Sequence, residues 1–193
     1  MMRMVLSLAA VLLLAGCAPN TVRQNEAAVF DFGVAAAGWA APALQRIDVA
    51  APSWLGTPAM QYRLAYTDGA RRRAYADSRW AAPPAELLEQ ALRRRAVAAG
   101  GEAALPCRLR LELDELVQTF DSPQASRLGL AVRAALICHG EQTLAARSFA
   151  VERPAGSNAQ GGVAAAAAAV EELGKQLAAW VTAEKSALAT RRP

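Results

Sequence analysis

Chemistry in this chain has few places to start. It holds 3 cysteines and 1 histidine, and a thiol can be acylated, oxidised to a disulfide or bound to a metal, according to its setting. Cys17 ends an apolar run, Cys107 and Cys138 lie in alternating segments, and His139 directly follows Cys138. No CxxC or HxxxH spacing accompanies them, so a metal site is not expected and His139 reads as a surface residue at a strand end. A G-x-S-x-G elbow, a phosphate loop and a G-x-G-x-x-G turn after a strand are absent. Glu86 with Glu89, and Glu171 with Glu172, fall in helical segments and read as solvated charge. The chain is therefore expected to be no enzyme, with no catalytic residue, no metal ligand and no cofactor.

The run before Cys17 accounts for that cysteine. One cation, Arg3, precedes an apolar stretch from Met4 to Gly16 broken by Ser7. As helix that stretch spans roughly 20 Å, short of the ~30 Å hydrocarbon core of a bilayer, so it reads as a cleaved leader. Leu14-Ala15-Gly16-Cys17 is similar to a bacterial lipobox, where cleavage precedes the cysteine and the thiol is diacylated before the new amino terminus is acylated. Each buried methylene contributes ~0.8 kcal/mol and stable anchoring takes more than one chain, which such a cysteine supplies. A buried cysteine after an ordinary leader is the alternative. Ala18 stands where sorted lipoproteins retained in the inner membrane commonly carry aspartate, which points to the periplasmic face of the outer membrane. The expected organisation is a signal peptide over 1–16, a polar lipidated tether over 17–27, a single domain over 28–188 and a basic tail over 189–193.

Composition is compatible with one domain. Apolar residues make up 54% of 193, though alanine supplies much of that, and the net charge of +4 is too mild to argue for nucleic acid. Arg71-Arg72-Arg73, Arg93-Arg94-Arg95 and Arg191-Arg192 read as solvated faces, with anionic headgroups or an acidic partner as the alternative.

These residues need elements to hold them. AVFDF at 28–32 and LQRIDVAAP at 44–52 read as strands, the second ending at Pro52. MQYRLAY at 60–66 alternates, and Asp68-Gly69 offers a type I′ turn that sets Thr67 opposite Ala70, Tyr62 opposite Tyr75 and Leu64 beside Arg73. Pro83-Pro84 opens a helix through AELLEQALRRRAVAA, with Leu88, Ala91, Leu92 and Ala99 on one face, a basic last turn and Gly100-Gly101 as its stop. CRLRLELDEL at 107–116 and LGLAVRAALIC at 128–138 alternate with period two around a turn at Ser122-Pro123, and a further strand lies near 143–152. AGSNAQGG at 155–162 reads as a loop. From Val163 to about Leu188 an alanine-rich helix is expected with Leu173, Leu177, Trp180 and Val181 as its stripe, low-complexity coil being the rival.

Register arithmetic bears on the other two cysteines. If the hairpin pairs residues whose numbers sum to 245, Cys107 meets Cys138, Leu109 meets Leu136, Leu113 meets Val132, Val117 meets Leu128 and, on the other face, Glu112 meets Arg133. One register satisfies apolar face, ion pair and cysteines together, and a one-residue slip would bury charge. In an oxidising compartment the pair predicts a Cys107–Cys138 disulfide, with two buried free thiols as the alternative.

Residues 51–92 carry a family resemblance. Pro52 with Leu55, Tyr62-Arg63, Tyr75, Arg79-Trp80, Pro83-Pro84 and Leu87-Leu92, taken with Cys17 and the AVFDF strand, resemble the auxiliary lipoproteins of ABC-type transport systems, the PqiC-like group. Phe30 departs from the usual tyrosine of the first strand. The resemblance implies an α/β fold, a three-layer mixed β-sheet with two main helices packed on it. It further implies a docking or adaptor role at the outer membrane, in an intermembrane lipid transport system with an MCE-domain protein and an ABC permease and ATPase. Homo-oligomerisation is left open. Trp54, Tyr62 and Trp80 are the candidate partner-binding aromatics, with the core as the alternative for Tyr62 and Trp80. The alternative role is that of an outer-membrane lipoprotein partner of a β-barrel in lipopolysaccharide assembly or secretion.

The leader reading has a direct consequence. Cys17→Ala is expected to release the chain from the membrane fraction and remove its lipid-dependent gel shift; unchanged fractionation and migration would refute acylation at this cysteine.

Overall fold

The computed structural model describes residues 26–34, 38–98, 105–138 and 142–190. Strands β1 (Ala28–Phe30), β2 (Trp39–Ala41), β3 (Leu44–Ala50), β4 (Ala59–Leu64) and β5 (Gly69–Trp80) come first, with a 3-10 turn at Ser53–Leu55 and the helical turn α1 (Ala65–Asp68) among them. Helix α2 (Pro84–Arg95), strands β6 (Ala96–Ala98), β7 (Leu105–Phe120), β8 (Ser126–Cys138) and β9 (Gln142–Ala155), and helix α3 (Ala159–Thr190) follow. The main sheet runs β1-β5-β4-β7-β8-β9, and β3 also pairs with β7, so β3 and β4 share one edge of that long strand. β1/β5, β3/β7 and β4/β7 are parallel while β4/β5, β7/β8 and β8/β9 are antiparallel, which makes the sheet mixed. β2 and β6 form a small parallel sheet of their own.

Alternation in β7 and β8 builds the core. Leu111, Leu113 and Leu136 have no exposed surface, and Cys107, Leu109, Leu128, Leu130, Val132 and Cys138 are buried beside them. The expected register holds from Cys107↔Cys138 through Glu112↔Arg133 to Leu113↔Val132, and a disulfide joins Cys107 to Cys138. It fails at Val117, which faces Gly129 instead of Leu128, because a bulge lies between Leu113 and Glu115. Unbroken alternation would turn Glu115 inward. The bulge inserts Asp114 and restarts the phase, so Leu116, Gln118 and Phe120 face the core.

Both long helices cover that apolar face. α2 buries Leu87, Leu88, Ala91 and Leu92, while α3 lies over β8 and β9 and sinks Ala166, Ala169, Val170, Leu173, Leu177, Trp180 and Val181 into the same core. The fold class is thus the expected one, a mixed sheet with helices packed on it in a single domain. The other face of β7 and β8 carries Arg110, Glu112, Asp114 and Arg133 in solvent.

Several local expectations are corrected by the structure. Asp68-Gly69 makes no type I′ turn. Gly69 has φ −69°, α1 replaces the two-residue loop, and the Thr67 hydroxyl donates to Leu64 O at 3.2 Å while Asp68 accepts from Ala70 N at 3.2 Å, local bonds that compete with a tight hairpin. Tyr62 consequently pairs with Arg73 and not Tyr75. α2 stops at Arg95, short of Ala99, because Ala96 turns extended to pair with Trp39. Arg95 is no solvated cation: it is 3% exposed and donates to Phe32 O at 3.2 Å, and burial lowers its pKa from the ordinary arginine value against the opposing charge of Glu171. Glu89, read as solvated, accepts from Val49 N at 2.9 Å and ties α2 to β3.

The segment read as a loop over 155–162 is helical from Ala159, and its glycines are points of close approach. A Cβ on Gly162 would lie 2.2 Å from Gln118 Oε1, and one on Gly161 would lie 2.5 Å from Gly156. Buried Gln118 is satisfied there: it donates to Ser126 Oγ at 2.8 Å and Gly156 O at 2.7 Å, and accepts from the Tyr75 hydroxyl at 3.0 Å. Burial, with Tyr62 and Asp77 adding to it, pushes the Tyr75 phenol up to about 12.

The disulfide closes a separation of 31 residues at the open end of the β7–β8 ladder, for which the chain-entropy estimate is about 3–4 kcal/mol. Urea unfolding with and without reductant is expected to differ by that amount, and the Cys107→Ala/Cys138→Ala double variant should match the reduced protein.

Candidate functional site

Pro52 ends β3 and lets the chain fold into the 3-10 turn, where Leu55 N donates to Pro52 O at 2.9 Å and Gly56 N to Ser53 O at 3.0 Å. The turn is nailed to the core by Leu55, only 1% exposed, yet it presents Trp54 at 54% exposure. Gln61 Nε2 donates to the Trp54 carbonyl at 2.7 Å, so the backbone under this indole is held from both sides. An aromatic so fixed can bury its face against a partner at little entropic cost.

Gln61 begins a chain of polar contacts across the open face of the sheet. Its Oε1 accepts from Arg72 Nη1 at 2.9 Å. Arg72 Nη2 reaches both oxygens of Glu115 at 3.0 Å, and Arg63 Nη2 adds a second ion pair to Glu115 at 3.0 Å. These three side chains are about a quarter exposed, so their pairs are less screened than fully solvated ones. Farther along, Arg133 meets Glu112 at 2.7 Å and holds both oxygens of Asp114 at 2.9 Å, which keeps the Asp114 carboxyl below the ordinary carboxylate range. Arg127 pairs with Asp121 and Glu152. The whole face is a lattice of alternating signs.

The structure separates the three aromatics the sequence suggested. Trp54 is on the surface beside this lattice. Tyr62 is half-buried, its ring centroid 4.7 Å from Tyr75 and 5.9 Å from Phe120. Trp80 is 3% exposed, its ring 5.2 Å from that of Phe32, and its backbone N–H donates to Pro58 O at 2.8 Å. The core alternative therefore holds for Trp80, which pairs with Phe30 of β1 and belongs to the core cluster. Cys17, His139 and Arg191-Arg192 lie outside the described residues. Among the described residues no group of three or more His, Cys, Asp or Glu could hold a metal, and no helix is long and apolar enough to cross a membrane.

Glu115 is the residue that sequence reading missed. Its signal was present: Leu113 and Leu116 are three apart in a segment otherwise of period two, which requires a bulge and turns Glu115 outward between two arginines.

The family model described as ABC-type transport auxiliary lipoprotein component matches residues 33–178, which takes in Trp54, Glu115 and both cysteines of the disulfide. No curated protein matches. Among solved structures, a Xanthomonas campestris protein of the DUF330 family superposes with TM-score 0.69 at 16% identity, covering 84% of this chain and 99% of its own. A second, described as uncharacterized, gives TM-score 0.60 at 14% identity, covering 81% and 99%. At these identities each shows a shared fold.

The two tryptophans should respond oppositely to truncation. Trp80→Ala is expected to cost about 3–5 kcal/mol in urea unfolding, and Trp54→Ala to stay within about 0.5 kcal/mol. A large loss at Trp54 would mean that its ring supports the fold.

Proposed function

This chain belongs to the ABC-type transport auxiliary lipoprotein component family, and on that premise we propose that it is a lipid-anchored periplasmic docking module of an MCE-linked intermembrane lipid transport system. In this reading Cys17 carries the acyl chains after removal of residues 1–16, and 17–27 tethers the domain of 28–188 to the outer membrane, with 189–193 as a basic tail. An anchor of that kind raises the local concentration of the domain for any partner that reaches the same membrane. The role asks for a rigid, non-reacting surface.

The observation that carries the reading is Trp54, exposed on a turn whose neighbouring Leu55 is fully buried. Beside it the Arg63–Glu115–Arg72 cluster offers both charge signs in fixed positions, suited to a mixed-charge partner surface and to orienting it. Partner contacts are assigned to Trp54 first. Tyr62, half-buried against Tyr75 and Phe120, is the secondary candidate, and Trp80 acts only by holding the fold.

Crosslinking in cells followed by detergent extraction with the native anchor retained tests this. An MCE-domain protein is expected to co-purify with the full-length chain, and Trp54→Ala should weaken that capture by about thirtyfold, as for a hot-spot aromatic. Recovery of a lipopolysaccharide-assembly β-barrel, with no MCE protein, would refute the proposal in favour of the alternative role.

A further inference from the structure

Where β2, the start of β3, the end of α2 and the second half of α3 meet, the domain leaves a cleft of about 710 Å³. That size falls within the roughly 300–1,000 Å³ of small-molecule sites. One wall is the Trp39 ring, laid so closely on α3 that a Cβ on Gly174 would lie 2.0 Å from it. Leu44, Ile47, Leu92, Leu177 and Val181 supply most of the remaining apolar lining. Ala43 on the loop before β3 and Ala178 on α3 keep the space open where larger side chains would close it.

Charge on this lining has one sign. Arg46 and Arg93 line the cleft and no carboxylate does. Their side chains are 67% and 48% exposed, so both sit at the mouth. Asp48 pairs with Arg46 through Nε, and Arg93 Nη2 meets Glu89 at 2.9 Å and donates to Ile47 O at 2.8 Å; neither acid is among the lining residues. An apolar trough ending in guanidinium groups matches one ligand chemistry: a hydrocarbon chain inside and an anionic head at the rim.

We infer that this cleft binds a single-chain anionic amphiphile, a fatty acid or a lysophospholipid. The assignment goes beyond the docking role and does not rest on it, since the cleft is built from residues distinct from Trp54 and the Glu115 cluster.

Membranes carrying the full-length chain are irradiated with diazirine-labelled palmitate, lysophosphatidic acid or hexadecanol, and adducts are mapped by peptide mass spectrometry. Adducts are expected on peptides spanning 41–47 and 174–181, competed by unlabelled compound. They should fall about tenfold or more in Ala43→Phe, as when roughly two methylenes lose their place. Should Ala43→Phe fail to fold, as judged by its melting transition, Ala178→Leu narrows the same space from the helix. The stronger of the two acidic probes identifies the head as carboxylate or phosphate. Equal labelling by hexadecanol, or acidic labelling unchanged in Arg46→Gln/Arg93→Gln, overturns the anionic assignment. Adducts confined to other peptides, or undiminished in the filled variants, overturn the site. Neither result bears on MCE capture, so the two proposals fail separately.

Discussion

The register of β7 against β8 is the constraint on which the rest of the molecule depends. Side chains alternate along a strand, so a slip of one residue would exchange the leucine face for the arginine and glutamate face across the whole pair. Three features hold that register. Cys107 is bonded to Cys138 at one end, Glu112 meets Arg133 in the middle, and the bulge at Asp114 resets the phase just where the apolar spacing changes from two to three. Once the leucines point one way, α2 and α3 have a single surface to cover, and they cover it together with one core.

The same constraint creates the open face. Exposed ion pairs such as Arg133 with Glu112 are screened by solvent and salt, so their bearing on the fold is modest. Their effect on the surface is larger. They leave fixed charges of both signs on that sheet face, and Trp54 stands beside them as the exposed tryptophan among the described residues.

Much of this architecture is legible in residue order. Period-two leucines mark β7 and β8, the Leu173-Leu177-Trp180-Val181 spacing marks α3, and adding residue numbers pairs the cysteines. The site is less legible. Trp54 is findable because a proline and a buried leucine flank it, whereas Glu115 depends on a bulge and the cleft depends on β2, a three-residue strand with no pattern of its own. Arg95 illustrates the same limit: an arginine in a basic run looks solvated until the chain from β1 folds over it and Phe32 offers its carbonyl.

Sequence alone determined which faces are apolar, which pairs of strands can share a register, and where the three cysteines stand, because these follow from side-chain type and a fixed backbone period. Tertiary structure decided where helix α2 stops, that Gly162 is a contact point within a helix, and that Trp80 is inside. Each of these is a competition between a local preference of a kcal/mol or less and contacts with residues far away in the chain. Burial of a large side chain or pairing of a strand outweighs that preference, and neither partner is visible until the fold brings it near.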